Sequence, residues 1–224
     1  MRMRRRTNAD ERLRLCGDYY IDTTESEMNF ALAVRTKEYL DFEKIFGNAN
    51  PVVAEIGCGQ GFFACEYAKS RPDVNVLAIE RISNVILTGV EKAFEEKIPN
   101  VRFLRVRAEL LPKYLPPQSI SGLFLNFSTP LPKKGYEKQR LTSRRNLEAY
   151  KTFLKSGAFL EQKTDDRDFF EFSLGELSES GFEITEKIYD LHASGKDNIV
   201  TEYESKFVSL GLPIYFLAAI YKEK

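Results

Sequence analysis

Apolar positions along the chain fall into short runs that alternate with segments of helical periodicity. The apolar runs cover residues 52–57, 74–80, 100–106 and 120–127. The helical patterns cover residues 62–70, 82–97, 142–155 and 167–180, with the segment Phe159-Leu-Glu-Gln-Lys-Thr between the last two. Because short apolar runs that alternate with helices are typical of buried strands in a parallel sheet, the pattern predicts an α/β fold with helices on both faces.

The two ends of the chain extend this pattern. Residues 27–46 carry apolar side chains among charges and predict a helix before the core. Residues 184–191 and 213–222 are two β-rich runs without a long helix between them, which predicts an antiparallel member in a mainly parallel sheet. No repeat or low-complexity linker divides the chain. We therefore expect a single domain over 1–224, with an N-terminal basic arm and helix at about 1–47.

The composition restricts the partners of the protein. Its 224 residues carry 33 basic and 33 acidic side chains, so any nucleic acid must be bound by local patches. No apolar segment approaches the ~18 residues of a membrane helix, and no apolar run follows the basic start as a secretory signal requires. Three cysteines without a C-x-x-C pair and a single histidine, His192, argue against a zinc site. We expect a cytoplasmic protein with free thiols and neither a metal nor a membrane partner.

The apolar run at 52–57 leads into a glycine-rich turn that is typical of nucleotide-like cofactor sites. Gly57, Gly59 and Gly61 follow a G-x-G-x-G spacing and open the predicted helix at 62–70. Glycine tolerates positive φ and lets the backbone approach a ligand, and the first N–H groups of the helix point towards it. Glu80 ends the next strand, where a carboxylate accepts hydrogen bonds from a ribose. This pattern predicts a cofactor that contains a nucleoside.

The spacing of the glycines distinguishes between cofactors. A dinucleotide fingerprint requires G-x-G-x-x-G, and its third glycine would fall on Phe62. The observed spacing, preceded by Glu55, resembles the first motif of S-adenosylmethionine-dependent methyltransferases. That resemblance implies the Rossmann-like class I fold of these enzymes, with a seven-stranded, mostly parallel sheet.

Further segments, in order along the chain, together resemble the bacterial tRNA guanine-N7 methyltransferase family. The segments are M-R-M-R-R-R at 1–6, E-I-G-C-G-Q-G at 55–61, E-R-I-S-N-V-I at 80–86, L-N-F-S-T-P-L-P-K-K at 125–134, K-T-D-D-R-D-F-F-E-F-S-L at 163–174, D-L-H-A-S at 190–194, N-I-V-T-E-Y-E-S-K-F at 198–207 and P-I-Y at 213–215. The K-T-D and T-E-Y-E segments are much more specific than the glycine turn. The resemblance implies methylation of guanine N7 in the variable loop of tRNA, with S-adenosylmethionine as methyl donor.

The resemblance also implies roles for individual residues. Glu55 and Glu80 match acidic residues that contact the cofactor beside the glycine turn. Lys133 and Asp165 match residues on the substrate side. The T-E-Y-E positions match a substrate-binding loop and are Thr201, Glu202, Tyr203 and Glu204.

Two positions depart from the family pattern. The family's D-P-W-P motif reads Thr129-Pro-Leu-Pro here, so Thr129 is our candidate catalytic and cofactor-binding residue at the position of an aspartate. Threonine carries no charge, and loss of a charged partner in a transition state typically lowers the rate by roughly 10²-fold or more. Arg107 occupies the position of an acidic or amide residue beside the adenine, and a guanidinium cannot accept a hydrogen bond from the adenine amino group.

A basic stretch adjoins the altered motif. Residues 133–145 hold six Lys/Arg against one acid, with Tyr136 among them, and with the arginines at 2–6 they predict binding to the phosphates of tRNA. Two alternatives remain open at this point. One is a tRNA-binding relative with impaired catalysis, and the other is a methyltransferase with a different acceptor. The sequence is compatible with a monomer or a homodimer.

Overall fold

The structure, a computed structural model, describes residues 8–23 and 36–223 apart from the side chain of Glu202. The chain divides into two compact units, Met1–Leu115 and Pro116–Lys224. The basic arm at the start and the first part of the helix predicted at 27–46 lie outside the described residues. The single domain over 1–224 stays a prediction.

The first unit contains four parallel strands in the order β1-β4-β3-β2. These strands are β1 (Tyr20–Ile21), β2 (Val52–Ile56), β3 (Asn75–Glu80) and β4 (Val101–Arg105). The helices among the described residues of this unit are α1 (Ala9–Leu15), α2 (Phe42–Phe46), α3 (Phe62–Ser70), α4 (Ser83–Glu95) and α5 (Leu111–Tyr114). All five residues of β2 are buried, which explains why the strand reads as a continuous apolar run rather than as an alternation.

The first unit also depends on one buried polar side chain. The amide of Asn100 donates to the carbonyls of Ala68, Arg71 and Val74 at 2.9, 2.9 and 2.7 Å. These carbonyls belong to the end of α3 and the turn that leads into β3. Asn100, just before β4, thereby ties the end of α3 to the turn before β3.

The second unit contains four strands in the order β5-β6-β8-β7. They are β5 (Ile120–Asn126), β6 (Leu154–Thr164), β7 (Phe182–Ile188) and β8 (Tyr215–Tyr221). The unit's helices are α6 (Arg144–Lys151), α7 (Arg167–Glu179) and α8 (Glu202–Ser209). β5 and β6 are parallel, whereas β8 is antiparallel to both of its neighbours, so the predicted antiparallel member is confirmed.

The sequence pattern was wrong in three places. The described residues contain eight strands rather than seven, because the two-residue β1 is too short to produce an apolar run. The helix predicted at 142–155 ends at Lys151, since β6 begins at Leu154. Of the described part of 27–46, only Phe42–Phe46 is helical, with Asp41 capping its start. The segment between the last two strands contains the short, eight-residue α8, which the pattern did not predict. Among the described residues, no helix has the length and apolarity that a membrane crossing requires.

A network of buried charges holds α8 in the second unit. Lys163, near the end of β6, donates to Glu204 Oε2, Asn198 Oδ1 and the Ile199 carbonyl, each at 2.8 Å. The side chains of Lys163 and Glu204 are 5% and 0% exposed. Glu204 also contacts His192 Nε2 at 2.9 Å and the amide of Asn198. The Lys163–Glu204 ion pair therefore joins β6 to α8, although the two residues are 41 positions apart in the chain.

We expect Lys163→Met to destabilise the protein by about 3–5 kcal/mol, because it leaves the buried Glu204 carboxylate without its main cation. Urea unfolding measures this change. The matched control is Lys151→Met, which breaks a 2.7 Å surface pair with Glu148 and should cost no more than about 0.5 kcal/mol. Equal losses in the two variants would contradict a structural role for the buried pair.

Candidate functional site

The glycine turn of the first unit connects β2 to α3. Gly57, Gly59 and Gly61 have φ values of 81°, 58° and 73°, the left-handed conformation that favours glycine. The N–H groups of Gly57 and Cys58 donate to the Ile79 carbonyl at 2.8 and 2.9 Å. These two bonds fix the turn to the carboxyl end of β3.

Two of the glycines differ in what surrounds them. A Cβ on Gly61 would stand 2.6 Å from Phe103 Cε1 and 2.9 Å from the Gly89 Cα, so here the turn packs directly against α4. A Cβ on Gly59 would meet no atom within 4 Å. Gly61 is therefore required by packing inside the unit. Gly59 instead presents bare backbone to open space, as a cradle for a ligand would.

Glu80 lies at the side of this turn. Its Oε1 accepts from the N–H groups of Arg81 and Ile82 at 2.8 and 3.0 Å, and the carboxylate also accepts from the N–H of Gly59. Burial raises the pKa of Glu80, and these backbone hydrogen bonds act in the opposite direction. The carboxylate is thus held at the end of β3, where the sequence predicted a group that accepts hydrogen bonds from a ribose.

Glu55 is buried at 2% exposure near the end of β2. Burial raises the pKa of the Cys58 thiol well above its usual range, and Glu55 and Glu80 add to this effect. Glu55 lies in β2 two residues before Gly57, and Glu80 accepts from the Gly59 N–H, so both carboxylates border the turn. The structure thus brings together Glu55, Glu80 and the three glycines. Arg107 is exposed two residues after β4 and begins the short 3₁₀ turn Ala108–Leu110.

The second unit carries the altered motif on the loop after β5. Phe127 and Leu131 have φ values of 49° and 48°, which non-glycine residues rarely adopt. Thr129 lies between them and is exposed. Lys133 is also exposed, and its carbonyl accepts from the Tyr136 N–H at 2.9 Å at the start of the 3₁₀ turn Lys134–Gln139. The loop thus presents both predicted side chains to solvent.

Asp165 follows directly on β6. The residue that caps α7 is its neighbour Asp166, whose Oδ1 accepts from the Phe169 N–H at 2.8 Å, so Asp165 does not serve as the cap. Asp165 is half-buried, and burial raises the pKa of its carboxyl group. The contact of Asp165 with a substrate stays a prediction.

The T-E-Y-E segment forms the start of α8 rather than an open loop. Thr201 and Glu204 make a capping box, in which each side chain accepts from the other's backbone N–H. Both side chains are buried, so they hold the helix instead of reaching the surface. Tyr203 is 61% exposed, and its ring stacks on that of Phe127 at 6.5 Å between centroids. Glu202 starts the helix, and its side chain lies outside the described part of the chain.

The basic stretch at 133–145 divides into two classes of side chain. Five of its six cations are exposed, namely Lys133, Lys134, Lys138, Arg144 and Arg145. Arg140 is 7% exposed. Arg144 also pairs with Glu179 at 2.8 Å. The exposed members form a cationic surface beside the Thr129 loop.

Sequence reasoning missed two supporting residues. Gly89 is a glycine inside a helical pattern, which is a recognised signal of close packing. Phe127 supports Tyr203 and also stacks on Phe207 at 6.2 Å. The spacing of four between Tyr203 and Phe207 is a helical signal that places both rings on one face.

Solved structures resemble this fold. The 16S rRNA methyltransferase KamB aligns with a TM-score of 0.65 and 17% identity, over 84% of this chain and 96% of that one. A SAM dependent methyltransferase from Aquifex aeolicus aligns with a TM-score of 0.55 and 16% identity, over 96% of this chain and 99% of that one. The fold is therefore the Rossmann-like class I methyltransferase fold.

Sequence relatives identify the family. A family model described as "Putative methyltransferase" matches residues 49–217. The tRNA (guanine-N(7)-)-methyltransferase of Lachnoclostridium phytofermentans is 40% identical over 82% of this chain and 86% of its own length. The enzyme of the same name from Bacillus subtilis is 42% identical over 76% of this chain and 81% of its own length. The one from Geobacillus sp. is 36% identical over 100% of this chain and 97% of its own length. The chain belongs to the tRNA guanine-N7 methyltransferase family.

Proposed function

We propose that this protein methylates N7 of a guanine in the variable loop of tRNA, with S-adenosylmethionine as methyl donor. The observation that carries the proposal is the turn between β2 and α3, where Gly59 faces open space and donates to Glu80. Relatives at 36–42% identity bear the name of this activity. The family match at 49–217 includes parts of both units, so we propose that they form one catalytic domain.

The residues of the first unit fit this cofactor. Gly59 leaves room for a ligand against bare backbone, and Glu80 supplies a fixed acceptor for ribose hydroxyls. Glu55 adds a second carboxylate close to the turn. When bound, S-adenosylmethionine supplies an electrophilic methyl group on a sulfonium.

The acceptor chemistry requires little from the protein. Guanine N7 has an unprotonated in-plane lone pair, so no general base is needed to make it a nucleophile. Orientation of the two reactants then supplies most of the catalytic effect. We assign Asp165 to the guanine, where a carboxylate can accept from the N1–H and the amino group and stabilise the cationic product. Lys133 and Tyr203, both exposed, complete the substrate-binding set.

The exposed cations of the basic stretch provide the sequence-independent part of tRNA binding. Lys134, Lys138 and Arg145 are exposed and can contact phosphates, and such binding weakens as salt rises. Cys16, Cys58 and Cys65 are all buried thiols, which fits the reducing cytoplasm that we propose as the location.

One observation favours a second candidate function, a tRNA-binding relative with impaired catalysis. Thr129 occupies the position of the family's catalytic aspartate, and its side chain carries no charge. The two candidates differ in methyl transfer and not in tRNA binding, so one assay separates them.

We expect the protein to transfer labelled methyl from S-adenosylmethionine to unmodified tRNA and to form N7-methylguanosine, as nucleoside analysis would measure. Salt-sensitive tRNA binding without transfer would instead establish the impaired relative, and label on another base would establish a different acceptor. Thr129→Asp should raise a weak rate by roughly 10²-fold if the site is a weakened form of the family's. A lower rate would mean that the threonine has its own role.

We expect Gly59→Ala to abolish most cofactor affinity while the fold survives, because its Cβ enters the space left for the ligand. Calorimetric titration with S-adenosylmethionine measures this loss. Gly47→Ala is the matched control, since Gly47 also has positive φ (71°) and open surroundings but lies at the end of α2. Both substitutions should cost roughly 1–2 kcal/mol of stability, and only Gly59→Ala should lose binding. Unchanged affinity in Gly59→Ala would contradict this placement of the cofactor.

As the pH is lowered, the affinity for S-adenosylmethionine should decrease. We expect this decrease to begin at a higher pH than it would with a glutamate of ordinary pKa at position 80. The reason is that the pKa of Glu80 is raised, so its accepting carboxylate is lost by protonation earlier as pH decreases. The dissociation constant for S-adenosylmethionine should be measured between about pH 5 and pH 8. Glu80→Gln should bind more weakly and with less pH dependence, whereas the exposed Glu43→Gln should behave as wild type. An identical pH profile in Glu80→Gln would refute the assignment.

A further inference from the structure

Arg140 differs from every other cation of the basic stretch at 133–145, because it is buried and points into its own unit. Its Nε donates to the Pro130 carbonyl at 2.7 Å, and its Nη2 donates to the Leu131 carbonyl at 3.3 Å. Both carbonyls belong to the loop that carries Thr129 and Lys133. A guanidinium donates from separate nitrogens in a rigid planar fork and offers a flat face to an aromatic ring, and the single nitrogen of an ammonium group reproduces neither feature.

The opposite side of this guanidinium is also fixed. Its central carbon lies 4.4 Å from the ring centroid of Phe172 and 5.8 Å from that of Phe169, both on α7. The Arg140 carbonyl accepts from Asn146 Nδ2 at 2.8 Å and from the Ser143 N–H at 3.0 Å, at the start of α6. Rings of α7 therefore pack against the guanidinium, while the start of α6 holds the backbone of Arg140.

The loop itself needs such support. Phe127 and Leu131 both have the positive φ that non-glycine residues rarely adopt, and Arg140 bonds the carbonyl of one of them. Conformations of this kind persist only where the surrounding structure holds them, and they cluster at functional sites. Thr129, the residue at the family's catalytic position, lies between the two strained residues.

We propose that Arg140 is a positioning residue for methyl transfer: it holds the Thr129–Lys133 loop in its strained, productive shape and does not contact tRNA phosphates. This inference rests on the proposed function. Arg140 should therefore affect the rate of methyl transfer, whereas the exposed cations of the basic stretch should affect the binding of tRNA.

The test is Arg140→Lys, which keeps the charge and removes the paired donation. We expect kcat for tRNA methylation to fall roughly 10–100-fold, because small misplacements near a reacting centre have effects of that order. The KM for tRNA should stay within about threefold, since the exposed cations are intact. Hydrogen exchange across residues 127–136 should become faster.

Arg102→Lys in the first unit is the matched control. Arg102 also donates to two carbonyls, those of Pro99 at 2.9 Å and Val101 at 2.8 Å. Its central guanidinium carbon lies 5.2 and 5.4 Å from the ring centroids of Tyr19 and Phe46. Its substitution should lower the melting temperature about as much as Arg140→Lys and leave kcat unchanged. An equal fall in kcat in both variants, or a rise in KM alone for Arg140→Lys, would overturn the proposal.

Two further measurements keep the proposal testable. If Arg140→Lys does not fold, Phe172→Leu removes the supporting ring while the hydrogen bonds remain, and a smaller fall in kcat with faster loop exchange is expected. An unchanged kcat in Phe172→Leu would then count against the proposal.

If the wild type transfers no methyl group, the proposed function fails. Hydrogen exchange across residues 127–136 in Arg140→Lys still decides whether Arg140 holds the loop.

Discussion

The close contact between Gly61 and Gly89 is the constraint on which the first unit depends. The two backbones approach so closely that a Cβ on either residue would stand within 3 Å of the other's Cα. This contact sets the start of α3 against α4, and the bonds from Gly57 and Cys58 to the Ile79 carbonyl set the same turn against β3. Gly59 is then left facing open space, so the ligand cradle is a consequence of packing around it.

The second unit achieves order by different means. The residues that we assign to the substrate lie in the loop after β5, directly after β6 and at the start of α8, where no sheet ladder holds them. Buried polar groups hold these segments instead. Glu204 fixes the start of α8 through Lys163, and Arg140 fixes the loop after β5 through two carbonyls. Buried charges of this kind are stable only when their partners are in place, and they therefore specify one arrangement of the segments that they join. The exposed Tyr203 and Lys133 take their positions from these buried neighbours.

The sequence predicted the regular part of this arrangement well. Continuous apolar runs identified β2 to β5, and the glycine spacing with Glu80 located the turn, because these signals are local. It failed where the deciding contact is distant in the chain. Arg140 looked like a further surface cation, since nothing in its neighbours reveals Phe172 or the Pro130 carbonyl. For Thr201 and Glu204 the structural signal was local, because their spacing of three is also that of a capping box, and their contact with a substrate stays a prediction. The motifs indicated which segments belong to the candidate site. Only the fold distinguished the residues that are exposed there from the buried residues that position them.

Thr129 stands where the family has an aspartate, and this replacement changes what the loop can contribute to catalysis. Methyl transfer to N7 needs no proton removed, so an acid at this position contributes charge stabilisation and geometry rather than base catalysis. The charge is lost in this chain. Phe127 and Leu131 hold conformations that non-glycine residues rarely adopt, and Arg140 bonds the Pro130 and Leu131 carbonyls of the same loop. Strain of this kind clusters at functional sites. Orientation is therefore the contribution that this loop can still make to methyl transfer, since its threonine supplies no charge.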